Sequence, residues 1–547
     1  MTVREAQTDT AHGSGIHRRW VAAAIVVVAA CALYAPTIHD YFTQDDFGVV
    51  GLFSARSLGS FPRWFVSPWT EDIWGYVPDE IRPFPAATYV MASWFGAAAP
   101  EPNHLLNIAL HAANGVLVMW IAGSVASLPL LPATLAGLVF VVLPIQAESV
   151  AWVTGRVDSM PAFFYFASFL LYVRSARRQD ASRDERRVRL ERDYLLSITL
   201  FFAALFSKQN TITMVPTLVL FDWIVRRRRL ALSWRWLQPY VPYLILTIAF
   251  LALRYVIFHE VARESILSAQ RFRDFLSDSS RHLVRLVLGG PGVRHWMWRD
   301  SLWIALVSIA IALRASMWRA AFYFGVVWTA LGMAPILMAG YYSPRHMYLA
   351  SLGWAVTFGI VVHAASELVR PRYATVAAAT IGGTVAALYA FQLHGVVRDW
   401  NRSAAISYDA LRQIEHEAAT DPEGTLILAG VPASAWAFAV PHSVRPPFTP
   451  RDLTRRIFVI SDSSVHCCNA VLWEKYTRTA LQGWQQHAGR PPVVALYWNP
   501  ATGRLSRVSD RDDPQLRTLV SLLPTTSSRE SLDSVIRHLL NDYVPFR

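Results

Sequence analysis

The sequence predicts an all-α polytopic membrane protein of about eleven transmembrane helices, followed by a small α/β domain outside the membrane. Hydrophobic residues make up 53% of the 547 residues and charged residues only 16%, whereas soluble domains carry about 25% charged residues. Long apolar runs recur as far as residue 398, and the composition after that point is that of an ordinary soluble domain.

The net charge of +12 comes from basic residues that cluster in short loops between the apolar runs. Lys and Arg in such loops mark the cytoplasmic side of a membrane protein. We therefore interpret them as topology signals and expect no nucleic-acid partner. The three cysteines, Cys31, Cys467 and Cys468, have no metal-ligand spacing.

The apolar runs define the predicted spans, because crossing a bilayer takes about 20 predominantly apolar residues. Candidate segments lie at 20–38, 105–126, 130–147, 159–174, 194–207, 210–225, 238–258, 301–314, 320–338, 347–366 and 373–395. The pair 194–207 and 210–225 is short enough to be tilted or re-entrant. Segment 281–293 contains arginines and is expected to be an interfacial helix at the membrane surface.

Loop charges set the orientation of this membrane domain, which we place at residues 20–398. Arg18 and Arg19 precede the first span, which lacks a cleavage site, so residues 1–19 are expected to be a cytoplasmic N-terminus before an uncleaved helix. Alternation of the spans then places the loop 39–104 and the C-terminal tail on the extracytoplasmic side of the cytoplasmic membrane.

The first external loop, 39–104, contains Trp64, Trp69 and Trp74 together with several prolines. Tryptophan is enriched at the level of the lipid headgroups. We expect short helices lying on the membrane and a partly ordered lid.

Residues 399–547 predict a soluble extracytoplasmic α/β domain. Apolar runs typical of buried strands lie at 425–432, 457–461 and 493–498, and helical patterns at 403–418, 469–483 and 529–541. Asp462, His466, Cys467 and Cys468 are close in sequence. Their spacing matches no metal-binding pattern, so we expect these four side chains to pack in the core of the domain.

Asp45 and Asp46 are adjacent carboxylates just beyond the first span, at the predicted outer face of the membrane. Such a pair can supply a general base or ligands for a divalent cation. An isolated Asp-Asp is also typical of a solvated turn, because Asp side chains hydrogen-bond to nearby backbone groups.

Further ionisable groups fall at the same predicted face. They are Arg82, His104, Glu148, Arg156, Asp158, Lys208 and Arg345. Ionisable residues near a membrane segment are candidates for function, and this set indicates a site for an anionic, lipid-anchored ligand beside an acid/base pair. Arg156 and Asp158 have the alternative of pairing with each other, and Arg82 of pairing with another nearby carboxylate.

His104, Asn107, His111 and Asn114 lie at i, i+3, i+7 and i+10 and so share one face of a helix. For Asn107, His111 and Asn114 we favour hydrogen bonds between helices inside the bundle over a catalytic role.

These motifs, taken together and in order, resemble those of a known family. They are Asp45-Asp46, Arg82-Pro83, His104-x-x-Asn107-x-x-x-His111-x-x-Asn114, Glu148 to Asp158, Ser207-Lys208 and Arg345-x-x-Tyr348-Leu349. The same order occurs in the membrane O-mannosyltransferases that carry tetratricopeptide repeats and in their bacterial relatives, which belong to the GT-C class of glycosyltransferases. The resemblance covers roughly residues 20–400.

The resemblance implies a GT-C-like membrane fold and an enzyme that takes a sugar, with mannose as the candidate, from a polyprenyl-phosphate donor. Transfer to a protein, lipid or glycan hydroxyl would occur at the extracytoplasmic face. Two departures concern the acceptor and any metal: Leu143-Pro144-Ile145-Gln146 stands where the family usually has His-Pro-x-His, and Gln209 where it usually has Glu. Residues 400–547 replace the repeats.

The chemistry of this reaction assigns roles to the candidate residues. We predict Asp45 or Asp46 as the base, with the other orienting it or the sugar, and the resemblance favours Asp45. Arg345 is the first choice for the lipid phosphate because a guanidinium binds phosphate oxygens bidentately, with Lys208 and Arg82 as helpers. Glu148, Arg156, Asp158 and His104 are assigned to the sugar and acceptor pocket. No cofactor is certain, and a divalent cation on Asp45 and Asp46 stays open.

The main alternative is a transporter or flippase of lipid-linked sugars. A transporter is expected to place its charged groups near the middle of the bilayer, whereas these groups collect at one face. A glycan polymerase or ligase and a non-enzymatic sensor are further alternatives. Polymerases usually depend on a large late external loop, and a sensor leaves the acidic pair unexplained.

Overall fold

A computed structural model describes residues 3–70, 73, 80–182, 191–231, 233–260, 269–289, 294–314, 317–335, 343–420, 424–429, 440–460, 478–487, 489–499, 501–526 and 528. Trp74, residues 461–477 with Asp462, His466, Cys467 and Cys468, and the predicted helix 529–541 lie outside these described residues.

Most of the described residues up to Thr420 lie in helices. The helices are α1 (Val3–Tyr34), α2 (Asp46–Ser54), α3 (Pro83–Ser93), α4 (Glu101–Val125), α5 (Leu130–Val142), α6 (Ala147–Ala151), α7 (Arg156–Ser182), α8 (Arg192–Leu205), α9 (Met214–Ile224), α10 (Trp234–Leu237), α11 (Val241–Phe258), α12 (Ala269–Leu288), α13 (His295–Arg314), α14 (Arg319–Met333), α15 (Ser351–Ser366) and α16 (Pro371–Thr420). Each of the predicted spans overlaps one of them, so the helical character of these segments is confirmed.

Only some of these helices qualify as spans by length and hydropathy. Within the described residues four qualify: Ile16–Thr37, Glu101–Val125, Val241–Phe258 and Pro371–Thr420. A fifth results if α5 and Pro144–Ala151, which are bent by 50° relative to each other, count as one span. The figure of about eleven transmembrane helices stays a prediction.

Close packing in the bundle depends on small residues. A Cβ atom added at Gly137 would lie 2.7 Å from the carbonyl oxygen of Gly115, so α4 and α5 touch through their backbones. Small residues that allow such contact are typical of helix interfaces in membranes. Helix α1 packs against the same pair through Val26, which is fully buried between them.

Helix α12 contains residues 281–288 of the predicted interfacial segment 281–293, of which residues 290–293 lie outside the described residues. Its Phe272 and Leu276 side chains are exposed, while Val284 and Leu286 are buried. The Tyr389 hydroxyl of α16 donates to the Leu286 carbonyl at 3.2 Å and so attaches α12 to the bundle. The helix is amphipathic, as the prediction of an interfacial helix requires.

The C-terminal part contains one four-stranded sheet. Its strands are β1 (Thr425–Ala429), β2 (Ile457–Ile460), β3 (Val493–Asn499) and β4 (Arg504–Ser509), with helices α17 (Val440–Ser443), α18 (Arg478–Gln486) and α19 (Pro514–Leu522). The spatial order is β2-β1-β3-β4, with β1 parallel to β2 and β3, and β4 antiparallel to β3. The α/β character and three strands are confirmed, and β4 was not predicted.

Two predicted boundaries fall inside one long helix. Helix α16 runs from Pro371 to Thr420 without a break. The predicted helix 403–418 is therefore the last part of that helix, and the predicted domain boundary at residues 398–399 falls inside it. The reason is that residues 399–420 continue the helical pattern without a proline.

The first external loop and the C-terminal sheet share one hydrophobic core. Phe47, Phe53 and Trp69 from the loop belong to the same buried cluster as Leu428 and Leu496 from the sheet. The sequence predicts short helices and a partly ordered lid in this loop, and α2 and α3 are such short helices. The buried aromatic side chains of the loop pack between the helical bundle and the sheet.

Candidate active site

The acidic pair lies where a turn leads into helix α2. Asp45 precedes the helix and Asp46 is its first residue. Gln44, just before them, has a positive φ of 49°, a conformation that costs energy for any residue with a side chain and is often found at functional sites. The two carboxylates therefore sit on a backbone that tertiary contacts must hold in place.

Both carboxylate oxygens of Asp46 accept hydrogen bonds from the protein. Asp46 is 1% exposed, its Oδ1 accepts from the Thr154 amide at 2.8 Å and hydroxyl at 2.6 Å, and its Oδ2 accepts from the Thr43 amide at 3.1 Å. Burial raises the pKa of Asp46 to about 7, against the lowering effect of these hydrogen bonds. Asp46 ties its own turn to the segment Val153–Gly155, and so fits the orienting member of the pair.

Asp45 has a different environment. Within the described residues, no hydrogen bond to its carboxylate is present, and its side chain is half-buried, although protein surrounds it on most sides. Among the described residues the Asp45 carboxylate is therefore partly accessible and is not held by a side-chain hydrogen bond. Burial raises its pKa to about 6, the positive charge of Arg345 lowers it, and Glu80 and Glu148 raise it.

Arg345 links two carboxylates of the predicted site. Its guanidinium bonds Glu148 at 3.0 Å and lies 3.5 Å from Asp158, while its face covers the Trp152 ring at 4.8 Å from the centroid. Glu148 also accepts from the Ser343 hydroxyl at 2.6 Å. Ser343 caps the short 3-10 helix Pro344–Met347, and this cap fixes the direction in which Arg345 extends.

Lys208 reaches the same group of charges from the turn after α8. Its ammonium pairs with Asp158, and both side chains are largely buried. Burial lowers the pKa of Lys208, Asp158 raises it, and the nearby cations Arg82 and Arg345 lower it. Arg82 itself pairs with Glu80 at 2.6 Å and covers the Trp69 ring. The ion pair with Glu80 is the alternative to phosphate binding that the sequence left open for Arg82.

The charge balance of this cluster determines what can bind there. Arg82, Lys208 and Arg345 supply three positive charges, and Glu80, Glu148, Asp158 and Asp45 supply four carboxylates. Each cation already has a carboxylate partner. An anionic ligand must therefore exchange places with Glu148 or Asp158, which is possible for Arg345 because its guanidinium has several donors.

Arg156 belongs to the framework of the site. It is fully buried and donates to Asn107 Oδ1, Thr88 Oγ1, and both the carbonyl and side-chain oxygens of Asn103 at 2.9–3.0 Å. It does not pair with Asp158, whose partners are Lys208 and Arg345. These bonds join α3, α4 and α7, which argues against the predicted place of Arg156 in the sugar pocket.

His104 is likewise enclosed by protein. It is 2% exposed, and its Nε2 lies 3.0 Å from the Asp40 carbonyl oxygen. This contact joins α4 to the end of the turn that follows α1. A position in the sugar or acceptor pocket is therefore not supported for His104 either.

The three remaining polar residues of α4 make the predicted contacts between helices. Asn107 donates to the Trp152 carbonyl at 2.8 Å. His111 contacts the Tyr348 hydroxyl at 2.8 Å, and Asn114 donates to the Ser159 carbonyl at 2.9 Å. These contacts fit the structural role predicted for the three residues.

The two aspartates do not form a joint chelate. Asp46 uses both oxygens for Thr43 and Thr154, and in the part of the chain that the structure describes no group of three or more His, Cys, Asp or Glu side chains is arranged to hold a metal ion. The donor set that a divalent cation prefers is therefore not assembled from these residues.

Several contacts of the site were not predicted. Glu80, Ser343, Trp152 and Thr154 all touch the charged cluster or Asp46. For Ser343 a signal existed, because Ser before Pro is typical of a helix N-cap. For Glu80, two residues before Arg82, the sequence indicated no more than that an ion pair with Arg82 could form.

Comparison with known proteins adds partial matches. No protein-family model matches the chain. Human protein O-mannosyl-transferase TMTC1 is 28% identical over 160 residues, which is 28% of this chain and 18% of that protein. Human TMTC4 is 30% identical over 176 residues, covering 29% and 23%, and Tmtc2 of Drosophila melanogaster is 28% identical over 200 residues, covering 35% and 20%. The matches span about a fifth of the length of these relatives.

Among solved structures, ArnT from Cupriavidus metallidurans bound to undecaprenyl phosphate superposes over 93% of this chain and 95% of that chain. The TM-score is 0.52 and the sequence identity is 13%. At this identity the similarity concerns the fold alone, which this chain shares with ArnT. The resemblance drawn from the motifs is confirmed at this level.

Proposed function

We propose that the protein is a GT-C-type membrane glycosyltransferase that moves a sugar from a polyprenyl-phosphate donor to a hydroxyl group. The reaction would take place at the extracytoplasmic side of the cytoplasmic membrane. The observation that carries the proposal is the position of Asp45. Among the described residues its partly exposed carboxylate accepts no hydrogen bond, and it lies within electrostatic reach of Arg345, which pairs with Glu148. The partial likeness to O-mannosyltransferases makes mannose the first sugar to test.

The mechanism follows from the contrast between the two aspartates. Asp45 takes the proton of the acceptor hydroxyl as its oxygen attacks the anomeric carbon of the sugar. The bond from that carbon to the phosphate oxygen breaks, and the polyprenyl phosphate leaves with the bonding electron pair. General-base help of this kind is worth about 10²–10⁴-fold in rate, and Asp46 keeps Asp45 in position through Thr154.

Arg345 would bind the leaving phosphate. Its planar guanidinium can give up the bond to Glu148 and bind two phosphate oxygens, because it keeps its charge and its donors lie in one plane. Lys208 and Arg82 add positive charge nearby. Glu148 and Asp158, once released, would be available to sugar hydroxyls, and a protein, a lipid or a glycan remains open as the acceptor.

A transporter of lipid-linked sugars is the competing proposal. It has no need of an unbonded carboxylate next to the cations. The charges that we describe also lie at the ends of helices and in the turns between them, at 45–46, 148–158, 208 and 343–346, and not in the middle of the spans, where a transporter is expected to bind its cargo.

The experiment that tests the function measures donor binding and turnover separately. Purified protein in detergent is given a synthetic polyprenyl-phosphate mannose, and donor hydrolysis or transfer is followed for wild type, Asp45→Asn, Asp46→Asn and Arg345→Ala. Asp45→Asn is expected to bind donor normally and to lose about 10²-fold or more in turnover. Arg345→Ala is expected to weaken donor binding.

The control is Arg507→Ala, which removes an exposed arginine paired with Glu417 far from the site. If wild type neither binds nor turns over mannosyl or glucosyl donors, the proposed function is wrong for those donors. If donor binds, but Asp45→Asn and wild type behave alike in every assay, the transporter becomes the better description.

A further inference from the structure

The C-terminal domain packs against the turn that carries Asp45 and Asp46. We call residues 41–47 the acidic turn. Phe42 and Phe47 flank the two aspartates, and both side chains are fully buried. Phe448, from the segment between β1 and β2, packs against both rings with centroids 5.5 Å and 4.9 Å away. One aromatic side chain of the domain thus contacts both ends of the turn.

Helix α2, which follows the acidic turn, approaches the same segment closely. A Cβ atom added at Gly51 would lie 3.3 Å from the Phe448 ring, and one added at Gly48 would lie 3.4 Å from the His442 ring. His442 Nε2 also lies 2.9 Å from the Ile73 carbonyl oxygen. The two glycines allow the segment 442–448 to lie directly on the first turns of α2.

The other side of the acidic turn contacts the outer part of α16. The Ser407 hydroxyl donates to the Phe42 carbonyl at 2.7 Å, and the Tyr408 ring packs edge-on against Tyr41 with centroids 5.2 Å apart. Trp400, about two turns earlier on the helix, stacks on Trp152, which also contacts the Arg345 guanidinium. The C-terminal part of the chain therefore contacts the acidic turn directly and is linked to Arg345 through Trp152.

We propose that the C-terminal domain acts in catalysis by holding the acidic turn in place, with Phe448 as the positioning residue for Asp45. This inference deepens the proposed function and rests on it for the role of Asp45. The turn includes a residue at positive φ, Gln44, and such a backbone persists only when its surroundings determine it. Phe448 supplies a large part of those surroundings without touching either carboxylate oxygen.

The first test separates turnover from donor binding in the full-length protein. Phe448→Ala removes the contact with both flanking rings, and Phe448→Leu restores part of the apolar volume. We expect Phe448→Ala to lower kcat by about 10- to 100-fold, because a misplacement of about 1 Å has effects of that size. The dissociation constant for polyprenyl-phosphate mannose should change less than about twofold, and Phe448→Leu should recover part of kcat.

The matched control is Trp484→Ala, which removes an aromatic side chain of the same domain that is buried on the opposite face of the sheet. It damages the domain without reaching the acidic turn, so its kcat should stay close to that of wild type at a temperature where both proteins are folded. Equal losses of kcat in Trp484→Ala and Phe448→Ala would mean that Phe448 acts through general stability, and would overturn the proposal.

The second test needs no substrate. Hydrogen–deuterium exchange is measured on wild type, Phe448→Ala and Trp484→Ala. We expect faster exchange of amides 41–50 in Phe448→Ala alone. If donor assays fail for wild type while this exchange changes as expected, the positioning stands and the proposed function fails. If wild type is active and amides 41–50 exchange at the same rate in all three proteins, the positioning proposal is wrong.

Discussion

Asp46 and Thr154 are joined by two hydrogen bonds, because Oδ1 of the aspartate accepts from both the amide and the hydroxyl of the threonine. Asp45, one residue earlier, accepts none within the described residues. Two adjacent and chemically identical side chains thus have different environments. The oxygens of Asp46 are bonded to the protein, whereas those of Asp45 are available to a ligand. This difference is what distinguishes the two as candidates for the base.

The pH dependence of turnover follows from the environment of Asp45. A general base must be ionised, and burial raises the pKa of Asp45 to about 6. We therefore expect kcat to rise by about tenfold per pH unit below that value and to level off above it. The measurement is kcat for donor hydrolysis or transfer from pH 4.5 to about 8, and a profile that falls through pH 6 would identify Asp45 as an acid instead.

Neighbouring charges should move this profile in opposite directions. Arg345 lowers the pKa of Asp45 and Glu148 raises it, so Arg345→Gln should shift the midpoint to higher pH and Glu148→Gln to lower pH. Both variants are assayed at saturating donor, so that weaker binding does not distort the midpoint. Shifts in the same direction, or none, would mean that the titrating group is not Asp45.

Arg156 provides a prediction about stability. Its guanidinium donates to oxygens on α3 and α4, and a lysine in its place offers one compact ammonium that cannot reach all of them. We expect Arg156→Lys to reduce the free energy of unfolding by about 2 kcal/mol or more, since bonds to a charged group contribute about 1.5–3 kcal/mol each. Thermal unfolding in detergent measures the loss.

The corresponding control is Arg507→Lys, at an exposed ion pair, where little change is expected. Donor binding by the folded fraction of Arg156→Lys should match wild type. If the variant has an unchanged unfolding temperature but binds donor more weakly, Arg156 lines the sugar pocket, as the sequence predicted.

Gly155 provides a prediction about backbone contact. A Cβ atom added there would lie 2.3 Å from the Glu148 carbonyl oxygen and 2.9 Å from the Ser149 Cα atom, and neither can move without displacing the backbone that carries Glu148 and Thr154. We expect Gly155→Ala to cost about 1–3 kcal/mol in the free energy of unfolding, the usual effect of overpacking, and to reduce turnover.

Gly483 supplies the matched control for that substitution. It lies inside helix α18 with open space around it, so Gly483→Ala should be neutral or should stabilise the protein through helix propensity. Comparing the two thermal unfolding midpoints checks the prediction, and a Gly155→Ala variant as stable and active as Gly483→Ala would contradict it.

The sequence predicts the helices well because apolar composition over a long run is a local property. It also brings together the right set of charges, since Glu148, Asp158, Lys208 and Arg345 do form one cluster. It does not separate Arg156 from this group. That distinction depends on acceptors contributed by Thr88 and Asn103, which are far away in sequence and have no pattern that identifies them.

The end of the membrane domain was harder to predict for a related reason. Composition changes near residue 398, yet the backbone does not, because helical hydrogen bonds continue through polar and apolar residues alike. The contacts of Ser407 and Phe448 with the acidic turn could not be predicted from the sequence either, because they join residues more than 360 positions apart.

Helix α16 has a mechanical consequence. Its 50 residues make a rod about 75 Å long at 1.5 Å per residue, more than twice the hydrocarbon thickness of a bilayer, which is about 30 Å. The part that carries Ser407 is thus a continuous extension of the part that carries exposed apolar residues such as Phe391. If the apolar part spans a membrane, a tilt of this helix in a thinner or thicker bilayer would be transmitted to the acidic turn.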